Sequence, residues 1–527
     1  MVFFEITTIE KTIEENKNKE KLVTRTIKPQ TGKTLWDWLE LGAVPILIAV
    51  FGYQFQNRDK KRVEKQAKLE QEIAKNKSLE EAIQVYLDGI AQLLLNSTHR
   101  DELFPNNQLN SPNKDNPVRD IARIKTTTIL RRLEGDNKRQ ERILYFLYDT
   151  ELSKFILQNA NLKEANLQKI NFKEAHLERI NLEGAHLEEA NLEEAHLEEA
   201  NLEGANLKGA HLKKAHLNRV NLTEVNLTGA NLGGAYLEGV NLTGANLKGA
   251  HLEGANLKEA HLEGAYLKGA HLEGANLKGA NLKGAHLEEA HLEEAHLEEA
   301  HLEEAYLKDA YLNEAYLNGA HLERANLEGA RLEGTYLKGA NLKESCLEGA
   351  YLKEAYFIEA NLEGAHLEGA HLEEADFNFA NLKEANLKEV HLDRTYLRKA
   401  NLSKANLNKA SLIEANLNKA YLIEANLKEA KLNKANLSGV YLNGSDLNRA
   451  DLNGANLKEA DLNGAIFTKS VNLTSKQIKS AHNWRKAIYK AKLSKGNWKT
   501  VEPDNREYIE KLERDKSSDP QNLPNSL

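Results

Sequence analysis

Ala160-Asn-Leu-Lys-Glu, Ala165-Asn-Leu-Gln-Lys, Ile170-Asn-Phe-Lys-Glu174: read in fives, the chain keeps this register without an insertion as far as Lys469. Leu or Phe stands at every fifth position from Leu162 to Phe467, 62 repeats in a row. Two residues before it comes a small or short-branched residue, usually Ala and at times Ile180, Val220, Thr335 or Ser345. Between the two lies Asn, His, Tyr or occasionally Asp, and the last two positions are mostly Glu, Lys, Asn, Arg or Gly. On an α-helix five residues turn the chain by about 500°, a net 140°, so these Leu would visit every side and form no apolar stripe. A straight strand fails as well, because an odd period sends successive Leu to opposite faces. Within one repeat, Ala and Leu are two apart and share a face while the residue between them points away. Both demands are met when the chain turns a corner every five residues and winds into a tube lined by Ala and Leu.

The composition agrees. All eight Pro lie outside the array, where no ladder donor is lost. A single cysteine, Cys346, excludes an intrachain disulfide framework. Leu and Ala recur in lockstep beside only one Met, as in an array whose units touch only their neighbours.

Over residues 157–469 this pattern resembles the pentapeptide-repeat family. What the resemblance implies is a mainly β chain: a right-handed quadrilateral β-helix with four repeats per coil. The sequence offers its own check, since coils of four repeats stack Phe357 on Phe377, Tyr316 on Tyr336 and Tyr356, and His251 on His271 and His291. About fifteen such coils at ~4.8 Å give a rod on the order of 75 Å long. Gly at the fifth position (Gly184, Gly204, Gly234) alternates freely with Glu and Lys, so that corner is not expected to require a positive φ.

Residues 1–33 are polar and are expected to be flexible. Residues 34–57 form a candidate transmembrane helix. The uncharged run from Leu41 to Asn57 is 17 residues, the lower limit for crossing a bilayer. Trp36, Trp38 and Tyr53 suit its interfaces, and Arg58, Lys60, Lys61 and Arg62 suit the cytoplasmic side. Pro45, Asp37 and Glu40 speak instead for a buried or interfacial helix. Residues 58–150 read as a helical module. Leu79, Ile83, Tyr86, Ile90 and Leu93 run in steps of four and three along a helix over 58–97. A Pro/Asn-rich loop (99–117) and helices over 118–133 and 137–148, parted by Gly135-Asp136, follow. The stretches Thr34-Leu-Trp-Asp-Trp-Leu-Glu-Leu41 and Thr128-Ile-Leu-Arg-Arg-Leu133 resemble the leader of cyanobacterial pentapeptide-repeat proteins, which implies a membrane-proximal module with no known chemistry. Beyond Phe467 the register slips at Asn472-Leu473. Ile478, Ala481, Trp484 and Ile488 predict one amphipathic helix from Thr474 or Ser475, a cap within 474–500, with residues 501–527 disordered. Capped ends disfavour end-to-end self-association.

No P-loop, dinucleotide fingerprint, nucleophile elbow, Cys-x-x-Cys or His-Glu-x-x-His pattern occurs. Glu pairs such as Glu288-Glu289 recur along the whole array, and catalytic carboxylates need unequal environments to separate their pKa values. No enzymatic activity, catalytic residue, cofactor or metal is therefore expected. The outward middle position is uneven. With four repeats per coil, the faces of residues 171, 191, 211… and 176, 196, 216… hold 17 His or Tyr among 30 positions, against 10 among 32 on the other pair. Aromatic side chains enrich interfaces, so His251, His271, His291, Tyr316, Tyr336 and Tyr356 form a candidate interaction surface. Duplication of coils that copied a tolerated residue is the plainer origin. Stacked imidazoles also approach a metal-binding spacing, but no Cys or paired carboxylate is expected to be fixed beside them. The function expected is a membrane-tethered scaffold, single-pass with the repeats on the cytoplasmic side, presenting long faces to a protein partner. The alternative is a DNA mimic, since some pentapeptide-repeat proteins inhibit DNA gyrase. Mimicry needs dense negative charge, whereas Asp holds the middle position only at Asp376, Asp446, Asp451 and Asp461. The acidic excess of the array also disfavours direct nucleic-acid binding.

Overall fold

Every fifth residue of the array does turn a corner, and the turn is the same each time. The Ala165 N–H donates to the Leu162 carbonyl at 3.1 Å, closing a four-residue turn whose third residue, Glu164, has φ +55°. A type II turn makes this demand. All 62 positions from Glu164 to Lys469 have positive φ, though only 25 are Gly; even Phe379 sits at +63°. The expectation that free exchange of Gly with Glu and Lys excludes positive φ is corrected. A left-handed residue costs about 1–2 kcal/mol, and the hydrogen bonds and buried Leu on either side of each corner offset it.

The computed structural model describes residues 44–96, 117–133, 135–489 and 506–514. The expectations for residues 1–43, for the 97–116 loop and for 490–505 and 515–527 lie outside the described residues. The chain divides into two units, Met1–Ser78 and Leu79–Leu527.

Coils of four repeats stack in parallel register, Asn161 on Asn181 on Asn201, with a bridge at every outward middle residue. The backbone of one repeat is almost wholly spent between coils. Asn181 N–H donates to the Ala160 carbonyl (2.9 Å), Leu162 N–H to Asn181 (2.8 Å) and Glu164 N–H to Glu183 (2.8 Å). The remaining N–H, that of Lys163, is taken by the Asn161 side chain at 3.2 Å. This explains why Asn is the commonest outward residue. Where Tyr236 stands instead, Asn218 one coil back accepts the corresponding N–H of Glu238 at 3.0 Å. Each side contributes one bridge residue per coil rather than an extended strand. Leu and Ala of the array fill the tube, none more than 3% exposed. The hydroxyls of Thr335, Ser345, Thr395 and Ser445 replace Ala there, and each donates to a Leu carbonyl.

Helix α1 is Val44–Leu95, so the two helices expected over 34–57 and 58–97 are continuous from Val44 onward. Among the described residues no helix is long and apolar enough to cross a membrane. Leu79, Ile83, Tyr86 and Ile90 are buried, as the seam predicts. They pack with α2 (Pro117–Arg132), α3 (Asn137–Asp149) and α4 (Ser153–Ile156) in a core continuous with the first coil. Glu80 ties α1 to α3 through Arg139 (2.9 Å) and Arg142 (3.1 Å). The Tyr86 hydroxyl meets Thr126 Oγ1 at 2.9 Å, and burial pushes this phenol well above its ordinary pKa. The Lys154 carbonyl of α4 receives the His176 N–H, covering one edge of the opening coil.

At the far end the expected single amphipathic helix is not formed. Helix α5 is only Ser475–Lys479, and the chain then returns to the ladder, pairing His482 with Asp461 and Ile488 with Ile466. Thr474 and Gln477 make a capping box that starts α5. The Gln477 amide also donates to the carbonyls of Leu452 (2.9 Å) and Ala455 (2.8 Å), closing that edge of the last coil. Within the segment expected to be disordered, α6 (Arg506–Arg514) buries Leu512, and its Glu513 pairs with Arg485 at 2.9 Å. Replacing Gln477 with Ala removes the side-chain half of the capping box and two carbonyl partners, while Thr474 keeps the backbone N–H of residue 477. The expected loss is about 1–3 kcal/mol, read as faster amide exchange across 472–489 with the central coils unchanged.

Two acidic side chains lock this cap. Asp451 accepts from Asn433 and Asn472 at 2.8 Å, and Asp461 from Asn443 (3.0 Å) and Asn483 (2.8 Å). Burial works against both charges, but these hydrogen bonds outweigh it and hold both carboxyls below their ordinary pKa. A depressed folded pKa gives stability that is present above the unfolded value and lost as pH falls through the folded one. Below about pH 4, protection factors of residues 472–489 should therefore fall, and Asp451→Asn with Asp461→Asn should remove this acid-dependent part. An unchanged acid profile in the double variant contradicts this.

Candidate functional site

The coil register brings the sequence-predicted residues together. On the face opened by Asn171, His251 stacks on His271 and His271 on His291, both at 4.8 Å between ring centroids, and Tyr311 continues the pile at 4.6 Å. On the adjacent face, opened by His176, His296, Tyr316, Tyr336 and Tyr356 stack at 4.7, 5.0 and 5.1 Å. A second pile on that face runs through His176, His196, His216 and Tyr236 at 4.6, 4.4 and 4.7 Å. Coil spacing sets these distances, and the ring planes are close to parallel in most pairs, so the aromatic edges form ladders along two neighbouring faces. Tyr336 and Tyr356 are exposed, Tyr316 half-buried.

Carboxylates accompany the imidazoles, contrary to the sequence expectation. A Glu two residues after His emerges at the same height, so His176 Nδ1 lies 2.8 Å from Glu178 and His251 Nδ1 2.9 Å from Glu253. Glu198 Oε1 is shared, 3.7 Å from His196 Nδ1 and 3.5 Å from His216 Nδ1. Glu373 is shared likewise between His371 (3.7 Å) and His391 (3.9 Å). The signal was present as His-Leu-Glu with a second His four repeats on. It was overlooked because a Glu at the corner by itself reads as a solvated side chain.

These neighbours pull the imidazoles apart electrostatically. The Glu198 carboxylate raises the pKa of His196 above its ordinary value, whereas burial, followed by the neighbouring His196, lowers that of His216. Burial opposes the charges of Glu198 and Glu253, but their histidines and backbone N–H groups outweigh it and hold both carboxyls below the usual range.

The pentapeptide-repeat models match this chain in eight copies between residues 221 and 469, and a pentapeptide repeat region matches residues 150–227, together more than half of its length. The chain belongs to the pentapeptide-repeat family. As a member, its solenoid is a right-handed β-helix preceded by helices. It is similar to HetL, a pentapeptide repeat protein involved in heterocyst differentiation regulation from the cyanobacterium Nostoc sp. strain PCC 7120. The identity is 34% over 40% of this chain and 88% of HetL, with a TM-score of 0.31. Rfr23 from the cyanobacterium Cyanothece 51142 is 30% identical over 23% of this chain and 64% of its own, with a TM-score of 0.14. QnrB1, a plasmid-mediated fluoroquinolone resistance protein, is 20% identical over 31% of this chain and 80% of its own, with a TM-score of 0.23, a likeness of fold alone. No curated protein matches the chain. In this pentapeptide-repeat protein the unequal spread of His and Tyr thus becomes ladders of three to four rings on adjoining faces.

Proposed function

We propose that this pentapeptide-repeat protein is a non-enzymatic interaction platform that holds a protein partner along its His/Tyr faces. The observation that carries the reading is the unbroken stack from His296 to Tyr356. Ordered aromatic rings whose edges reach solvent supply contact area at little further entropy cost. The test replaces Tyr316, Tyr336 and Tyr356 with Asn, the residue that caps the repeat elsewhere, followed by crosslinking in cells. Loss of the crosslinked partner with an intact far-UV spectrum supports the platform, and unchanged capture removes it.

The same proposal places the platform at a membrane through residues 34–57, with the repeats on the cytoplasmic side. Its support is the start of α1, where Ile46, Ile48, Val50, Phe51, Tyr53 and Phe55 are all exposed, followed by Arg58, Lys60, Lys61 and Arg62. An apolar helix segment without protein cover, followed by cations, suits an anionic lipid surface. Flotation with vesicles, with and without residues 34–57, tests it. The alternative reading as a DNA mimic draws on the acidic excess of the array, and salt-sensitive inhibition of gyrase by the purified protein is its test.

A further inference from the structure

We propose that the His176–Glu178–His196–Glu198–His216 ladder binds a divalent first-row transition metal ion of the zinc class. The donors are brought together by the coil, not by local sequence: successive imidazoles are four repeats apart in sequence and one coil apart in space. The ligand atoms of His196, Glu198 and His216 all lie within 4.8 Å of one another, as do those of His176, Glu178 and His196. Zinc–ligand bonds of about 2.0–2.1 Å at tetrahedral angles hold donor atoms about 3.4 Å apart. Glu198 Oε1 already stands 3.5 and 3.7 Å from the two Nδ1 atoms, so only the two rings must tilt toward each other. Both rings are half-buried and face solvent at one edge, which leaves room for that tilt. The second oxygen, Glu198 Oε2, is buried and has no hydrogen-bond partner among the described residues. A buried carboxylate oxygen with unspent lone pairs gains from a cation beside it.

The donor chemistry selects the ion. Imidazole nitrogen with one carboxylate suits zinc, copper or nickel, while magnesium and calcium call for oxygen alone. Two imidazoles and one carboxylate leave an open coordination position for water or a ligand from outside. The motif recurs at His251–Glu253–His271–Glu273–His291 and at His371–Glu373–His391.

The experiment uses the untagged full chain, titrated with Zn2+ by calorimetry and with Co2+ by visible absorption at neutral pH. The variant carries His196→Asn with His216→Asn; Asn256 and Asn276 occupy equivalent places on the same face, so the coil tolerates it. The expected result is one equivalent of Zn2+ fewer than the parent. Glu198→Gln, which keeps shape and hydrogen bonding, should weaken that equivalent by at least about tenfold. This second variant decides the matter even if the first one perturbs the coil. Equal stoichiometry and affinity in parent and variants, or uptake of Mg2+ as strong as that of Zn2+, overturns the site.

Discussion

Phe377→Ala should lower local stability of the coils around it by about 3–5 kcal/mol. Phe377 is fully buried and lies on Phe357 with ring centroids 4.5 Å apart and planes 4° from parallel. Its neighbours are held by inter-coil bonds from Phe357 N–H to Asp376 and from Phe377 N–H to Tyr396, both 2.7 Å, so the wall of the tube cannot collapse into the space left behind. The stacked pair adds about 0.5–1.5 kcal/mol beyond burial, and Phe357→Leu combined with Phe377→Leu isolates that part. In a nearest-neighbour array the damage stays near its source. Native-state hydrogen exchange should show lost protection across residues 350–400 and little change near Leu222. Phe377→Leu should be mild, because Leu fills the same slot in nearly every other repeat. Equal effects of the Ala and Leu replacements contradict this account.

The corner gives the second large effect, with opposite signs from two substitutions. Gly249 sits at φ +60°, and a Cβ built there meets nothing within 4 Å. The Cβ of Gly249→Val therefore meets no neighbour, and the cost expected is conformational. A β-branched residue in the left-handed region should lose about 2 kcal/mol or more. Glu294, at φ +57°, is already carrying that strain, and Glu294→Gly should gain up to about 1 kcal/mol despite a more flexible unfolded chain. Amide exchange of the flanking coils measures both. A destabilising Glu294→Gly would show that side-chain contacts, not backbone strain, govern the corner.

Helical elements were legible where their signals were local. The spacing of Leu79, Ile83, Tyr86 and Ile90 and the break at Gly135-Asp136 lie within a few residues of one another. The cap was not, because Gln477 acts on the carbonyls of Leu452 and Ala455, which precede it by more than a full coil of chain. The aromatic ladders were legible once the family resemblance supplied four repeats per coil, because the repeat itself places His and Tyr outward. The carboxylate between His196 and His216 was missed with the coil length in hand, since each partner by itself reads as a solvated surface residue.

By itself the five-residue period determined which side chains are inside, because no straight helix or strand can bury Leu at an odd spacing of five. It also determined that the residue between Ala and Leu faces outward. The left-handed backbone at every corner, the sharing of one Glu by two imidazoles and the closing of the last coil were decided only by tertiary structure. Each arises from hydrogen bonds and contacts between residues one coil apart, whose energy exceeds the local preference of any single residue.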